Sequence, residues 1–127
     1  MQFMRIFKHK AFIRWATEEG LADASLKEAV LEIEKGLYEA NLGSGLYKKR
    51  IAMRGKGKSG GYRTLIACKL QDRAFFLYGF AKSERANITD SEEKIYRKLS
   101  KDLLEMDMKS VEKLLKNGKF IEVKQHD

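Results

Sequence analysis

The hydrophobic period of this 127-residue chain changes at Gly43-Ser44-Gly45, and this change constrains the fold more than any other feature. Between His9 and the glycine turn, apolar residues recur at helical spacing, whereas after the turn they form short runs rich in β-branched and aromatic residues. Residues His9–Glu19 predict a helix that Gly20 ends, and Ser25 with Glu28 predicts a capping box that starts a second helix. The apolar face of the second helix is predicted to contain Leu26, Ala29, Val30, Ile33 and Leu37. These residues therefore predict a helical hairpin.

Four segments have the composition of strands. They are Met1–Phe7, Leu46–Met53, Tyr62–Leu70 and Ala74–Ala81, and Gln71-Asp72 forms a two-residue connection between the last two. The nearly continuous apolar run of Ala74–Ala81 predicts a central strand that is buried on both faces. The sequence after the glycine turn therefore predicts an antiparallel meander.

Polarity returns after Lys82, where Thr89 with Glu92 makes a second capping-box pattern and helical spacing continues toward Gly118. The whole pattern predicts an α+β fold, in which a small antiparallel β-sheet packs against the N-terminal helical hairpin and a C-terminal helix follows. A chain of this length buries one core, so we expect a single domain over residues 1–127.

The sequence gives no indication of a membrane span or a signal peptide. No apolar run approaches the roughly 18 residues that a span needs, and Met1–Lys10 lacks an apolar stretch of signal-peptide length. Cys68 is the only cysteine; it lies in an apolar stretch and is predicted to be a small core residue. We therefore expect a cytoplasmic protein without a membrane partner.

The positive charge of the chain is concentrated in its middle. The net charge is +8, but residues 45–82 contain ten Lys and Arg side chains and one carboxylate, a net charge of +9, which leaves the rest close to neutral. Charge concentrated in this way is typical of a polyanion site, because each cation near a phosphate releases condensed counterions. The alternative is a solvated basic face that only aids solubility.

The segment from Arg54 to Arg63 combines glycines with cations. Four of its ten residues are glycine, so it predicts a loop between two strands, and its cations are Arg54, Lys56, Lys58 and Arg63. Such a backbone can approach a phosphodiester closely and offer N–H groups to it. Lys58-Ser59 resembles a nucleotide-binding P-loop, but a P-loop opens a helix, whereas this segment leads into a strand. Nucleoside triphosphate binding is therefore disfavoured.

Conventional catalytic groups are scarce. The histidines, His9 and His126, lie near the two ends of the chain, no Cys/His cluster exists, and the predicted strand region contains a single carboxylate, Asp72. We therefore predict no metal and no cofactor. The chemistry that remains is RNA cleavage by the substrate's own 2′-OH, in which Lys and Arg stabilise the negative charge of the phosphorane.

Three segments resemble a known family: Lys58–Thr64, Asp72–Phe76 and Gly79–Ile88. With Gly45-Leu46, Lys48–Ala52 and the opening helical hairpin, they resemble the HigB-type branch of the RelE/ParE toxin superfamily. The resemblance implies a small sheet packed by two helices. It also implies a ribosome-dependent endoribonuclease that cuts translated mRNA and is neutralised by a cognate antitoxin, often a helix-turn-helix protein.

The same resemblance implies roles for single residues. Arg63 follows Gly61-Tyr62 and matches the arginine that contacts the scissile phosphate in RelE-like toxins. The lysines that the family has on the preceding strand and loop correspond to Arg50, Arg54, Lys56 or Lys58. Ser83 and Thr89 occupy the places of a catalytic arginine and a tyrosine of the family, so that Lys82 or Arg85 is the candidate substitute. The predicted catalytic set is Arg63, Lys82, Arg54, Lys56 and Lys58. The predicted contacts to RNA or the ribosome are Lys48, Lys49, Arg50, Tyr62, Phe80 and Arg85.

Other interpretations of these residues remain open. Arg63 and Lys82 could instead pair with Asp72 or with helix acids, and Tyr62 and Phe80 could simply pack in the core. Two other functions are also open. One is a ParE-like toxin that inhibits DNA gyrase by binding, although relatives of that kind generally lack the basic catalytic set. The other is an RNA-binding module without catalysis.

Overall fold

Six strands and four helices form the part of the chain that the structure, a computed structural model, describes: residues 4–52 and 61–125. In chain order these elements are β1 (Arg5–His9), α1 (Lys10–Glu19), α2 (Asp23–Glu34), β2 (Ala40–Gly43), β3 (Leu46–Ile51), β4 (Tyr62–Lys69), β5 (Arg73–Ala81), α3 (Asp90–Glu105), α4 (Met108–Lys116) and β6 (Phe120–Glu122). The predicted α+β class and the opening helical hairpin are confirmed.

The strands form one sheet in the order β2-β3-β4-β5-β1-β6. From β3 to β5 the sheet is the predicted antiparallel meander, and β5 is central and buried on both faces. The sequence did not predict β2, which pairs with β3 in the antiparallel sense and extends the meander by one strand. The sheet is mixed, however, because β1 pairs with β5 in the parallel sense and with β6 in the antiparallel sense. The chain leaves β1 through two helices rather than a tight turn, so no hairpin forces β1 into an antiparallel pair.

Each face of the sheet is covered by different helices. Side chains alternate between the faces along a strand, so Phe76 packs with Phe12 and Leu26 of α1 and α2, whereas Phe75 packs with Leu103 of α3. We call these two sides the hairpin face and the α3 face. The site described below depends on which of the two faces a side chain occupies.

Helix ends agree with the sequence in two of three cases. Gly20 ends α1 in the left-handed conformation, at φ 72°, and the capping box of Thr89 and Glu92 starts α3. The capping box predicted at Ser25 is wrong, because α2 begins at Asp23 and has no side-chain cap. An acidic residue in the first turn favours this earlier start, and the Lys8 ammonium lies 2.8 Å from the Asp23 carboxylate.

Three further details complete the fold. Leu37 was predicted on the apolar face of α2, but it lies beyond the helix and is 56% exposed. Cys68 is buried as predicted, and burial raises the pKa of its thiol to about 12. Among the helices of the described residues, none has the length and apolar character that crossing a membrane requires.

Candidate nucleic-acid interface

Two neighbouring strands place cations side by side on the α3 face. In the antiparallel pair of β3 and β4, Arg50 lies directly opposite Arg63. Lys48 is two residues from Arg50 along β3, so its side chain points to the same face. Leu65, two residues from Arg63, packs in the core under α3, which fixes the face. We call Lys48, Arg50 and Arg63 the strand cluster.

Arg63 is the most enclosed member of the strand cluster, since its side chain is 5% exposed. Its Nε donates to both carboxylate oxygens of Glu39, at 3.1 and 3.0 Å. Its Nη1 is buried and has no hydrogen-bond partner among the described residues. An ion pair was the alternative expected for Arg63, but its partner is Glu39 rather than Asp72, whose carboxylate instead accepts from Arg73 Nε at 2.8 Å.

The other two members are more accessible. Lys48 Nζ lies 3.9 Å from a Glu39 carboxylate oxygen and 3.3 Å from the side-chain oxygen of Asn87. Arg50 is exposed to solvent. The strand cluster therefore contains one enclosed guanidinium, one largely buried ammonium and one exposed guanidinium.

The loop between β5 and α3 adds Lys82 and Arg85. Lys82 is exposed, and its backbone N–H donates to the Gly61 carbonyl at 3.3 Å, which places it at the end of the sheet where β4 begins. Arg85 donates to both carboxylate oxygens of Glu92, at 2.6 and 3.1 Å, and to the Tyr78 hydroxyl. These bonds raise the pKa of Arg85, and the Arg85 guanidinium, more than the Thr89 backbone N–H, lowers the pKa of Glu92 to about 2. Arg85 is thus fixed to the start of α3, whereas Lys82 projects into solvent.

Two predicted contacts lie on the opposite side of the sheet. Lys49 points to the hairpin face, where its Nζ is 2.9 Å from a Glu32 carboxylate oxygen and its side chain is 11% exposed. Tyr62 packs edge-on against Trp15 on the same face, its hydroxyl donates to the Glu19 carbonyl, and burial raises its pKa. The structure therefore does not bring Lys49 or Tyr62 together with the strand cluster.

Phe80 is paired with Arg63 across β4 and β5 and lies on the same face, the α3 face, but its ring is buried in the core. The centre of the Arg85 guanidinium is 5.6 Å from the centre of its ring. The burial of Phe80 and Tyr62 agrees with the packing interpretation of both rings, and contact of either ring with RNA stays a prediction.

The family model for the RelE toxin of the RelE/RelB toxin–antitoxin system matches residues 4–123. The chain belongs to the RelE toxin family. The match includes the helical hairpin, the meander and the C-terminal helices, and the family implies an antitoxin as partner. No match to a curated protein was found. The narrower HigB-type assignment stays a prediction.

Three predicted catalytic residues of this RelE-family toxin, Arg54, Lys56 and Lys58, lie outside the described residues. After β3 ends at Ile51, the described residues continue to Ala52 and resume at Gly61. Gly61 lies at the same end of the sheet as Arg50 and Lys82. A Cβ at Gly61 would come within 2.8 Å of the Ile51 carbonyl oxygen, so the close approach of the two strands here requires glycine.

Within residues 4–52 and 61–125, no group of three or more His, Cys, Asp or Glu side chains is arranged to hold a metal ion. His9 is engaged at the start of α1, where its side chain accepts from the Ala11 backbone N–H at 3.1 Å. Burial, and to a lesser extent the charge of Lys119, lowers the pKa of His9. The cations that the described site presents are Lys48, Arg50, Arg63, Lys82 and Arg85.

Sequence reasoning missed Glu39. A signal for it exists in the glycine turn, because a hairpin around Gly43-Ser44-Gly45 pairs the residues before it with β3. The observed register sets Ala40 opposite Lys48 and lets the Glu39 backbone N–H donate to the Lys48 carbonyl at 2.8 Å. Counting back from the turn would have placed a carboxylate beside the cations of β3.

Proposed function

We propose that this toxin is an endoribonuclease that cuts mRNA on the translating ribosome, and that it belongs to the HigB-type branch of its family. The observation that carries the proposal is the pairing of Arg50 with Arg63 at the centre of the strand cluster. Like charges directly opposite each other across two strands destabilise a sheet. Glu39 offsets part of this repulsion, and a phosphodiester bound to the strand cluster would offset the remainder.

The proposed reaction uses groups of the substrate. The 2′-oxygen attacks the adjacent phosphorus, its proton passes to a base, and the bond from phosphorus to the 5′-oxygen breaks as that oxygen gains a proton. The products are a 2′,3′-cyclic phosphate and a 5′-hydroxyl. Negative charge grows on the non-bridging oxygens in the transition state, and Arg63 is the candidate to stabilise it, with Lys82 and the loop residues Arg54, Lys56 and Lys58 as further candidates.

The accessible cations of the strand cluster supply a second element of the proposal. Arg50 is exposed and the Lys48 side chain is 17% exposed, so Arg50 is the main candidate and Lys48 a second candidate to contact phosphates of mRNA or of ribosomal RNA. Such contacts position a nucleic acid without reading its sequence. Alignment of the 2′-OH for in-line attack is then left to the ribosome, which holds the mRNA in a defined conformation. Because the ribosome would supply this alignment, we expect cleavage to require the ribosome and to take place in the cytoplasm. The proposed antitoxin is a helix-turn-helix protein.

Primer extension on mRNA from a reconstituted translation reaction tests the proposal. Wild-type protein is expected to create new 5′ ends only when ribosomes are present, and Arg50→Ala and Arg63→Gln are expected to reduce them strongly. Arg14→Ala is the matched control, because Arg14 is an exposed arginine on α1 and its loss changes the net charge equally. Intact mRNA with wild-type protein on active ribosomes would refute the proposal. In cells that are induced to make the protein, a DNA damage response with mRNA left uncut would favour gyrase inhibition. Salt-sensitive RNA binding without cleavage would favour a non-catalytic module.

A further inference from the structure

Glu39 supplies a carboxylate that contacts the cations of the strand cluster. It immediately precedes the edge strand β2, and the hydrogen bond from its backbone N–H to the Lys48 carbonyl fixes it beside β3. Its carboxylate bridges two cations of the cluster, since it accepts from Arg63 Nε through both oxygens and lies 3.9 Å from Lys48 Nζ.

The carboxylate also limits access to Arg63. The Arg63 side chain is 5% exposed, whereas that of Glu39 is 34% exposed, so the carboxylate is the more accessible member of the pair. A carboxylate and a phosphodiester both present two charged oxygen acceptors to a guanidinium and compete for the same N–H groups. A phosphodiester therefore cannot take the place of Glu39 on Arg63 Nε until the carboxylate has left.

We propose that Glu39 is an anionic latch, which holds Arg63 in the free protein and is displaced when an RNA phosphodiester binds. The inference rests on the proposed function and adds a step to it. Glu39 is an exposed residue that immediately precedes a four-residue edge strand, so solvent can receive its carboxylate when a phosphodiester replaces it. The latch lowers the affinity of the free toxin for RNA and keeps the Arg63 guanidinium in the orientation that the phosphodiester needs.

RNA affinity of the full-length protein measures the latch directly. The probe is a fluorescein-labelled single-stranded RNA oligonucleotide whose 2′-hydroxyls are methylated, so that it binds but cannot be cut. Glu39→Gln keeps the size of the side chain and an acceptor for Arg63 Nε, and it is expected to tighten binding about three- to tenfold. Glu18→Gln is the control, because Glu18 is an exposed carboxylate on α1 and its loss changes the net charge equally. An equal effect of the two substitutions would overturn the latch.

A double-mutant cycle separates the latch from a general charge effect. In an Arg63→Gln background, Glu39→Gln is expected to bring no gain beyond that of Glu18→Gln, because the competition runs through the Arg63 guanidinium. A gain that persists without Arg63 counts against the proposal. So does a Glu39→Gln protein that binds RNA as the wild type does but no longer cuts mRNA on ribosomes, since Glu39 would then act on a proton.

A measurement on the unmodified side chains covers the case in which Glu39→Gln does not fold. The Nε–H resonance of Arg63, assigned by its loss in Arg63→Lys, is expected to shift when the methylated RNA saturates the wild-type protein. A resonance that stays in place at saturation overturns the latch. The two proposals can be tested separately. If Glu39→Gln binds RNA more tightly but the wild-type protein cuts no mRNA, the nuclease proposal is refuted and the displacement of Glu39 by RNA is still supported.

Discussion

Gly79 of β5 lies directly beneath the indole ring of Trp15 in α1, and a Cβ at position 79 would overlap the ring. The contact holds α1 against the hairpin face next to Tyr62, whose ring packs edge-on against the same indole. We expect Gly79→Ala to lower the free energy of unfolding by about 1–3 kcal/mol, because extra volume in a packed core displaces its neighbours. Urea denaturation measures the change. In a Trp15→Leu background the same substitution should cost less, and an equal cost would show that the indole is not the obstacle.

Cys68 provides a test of the core on the hairpin face. Its thiol is buried, and burial raises its pKa to about 12, so little thiolate forms at neutral pH. We expect the native protein to react with Ellman's reagent about a hundredfold or more slowly than the protein unfolded in urea. Rapid reaction of the native protein at pH 8 would contradict the burial of this strand.

Glu92 links the stability of the start of α3 to pH. Its carboxylate pairs with Arg85 and accepts from the Thr89 backbone N–H, and its pKa falls from 4.5 to about 2. A carboxyl whose pKa is lower in the folded state contributes stability above its unfolded pKa and loses that contribution as the pH falls toward its folded pKa. We therefore expect Glu92→Gln to destabilise the protein at pH 6 and to have a much smaller effect at pH 2. Thermal unfolding of both proteins at several pH values measures this difference, and a pH-independent difference would exclude the carboxylate as its source.

Local patterns in the sequence predicted most of the fold. The stop at Gly20, the capping box at Thr89 and the apolar run of β5 each act over a few residues, and each was predicted correctly. The glycine turn was predicted to end the helical part of the chain, but α2 already ends at Glu34, and the turn joins β3 to the unpredicted strand β2. The parallel pairing of β1 with β5 was not predicted, because it joins segments far apart in the chain that no turn connects. The prediction that Leu37 lies on the apolar face of α2 was wrong. The helix ends at Glu34 and Gly36 adopts the left-handed conformation, at φ 82°, and the apolar spacing alone does not show where the helix ends.

The candidate site was predictable in its charges but not in its pairing. The concentration of cations in residues 45–82 predicted the region in which an anion would bind. The alternation of β3, however, sends Lys48 and Arg50 to one face and Lys49 to the other, and choosing between the faces needs the register with β4. Glu39 was missed because it gains its role only when the hairpin of β2 and β3 folds back onto Arg63.

The division of β3 between the two faces leads to a prediction about Lys49 and Arg50. Arg50 is exposed on the α3 face, whereas Lys49 is enclosed on the hairpin face beside Glu32, so only Arg50 is available to release a counterion when it meets a phosphate. We expect Arg50→Met to weaken binding of single-stranded RNA and to reduce the salt slope of the affinity by about one. Lys49→Met, an equal change in charge one residue away, should leave the salt slope within error. Fluorescence anisotropy at several salt concentrations measures both slopes. Equal losses for the two variants would mean that RNA senses only the net charge of the chain, and the face assigned to the interface would then be wrong.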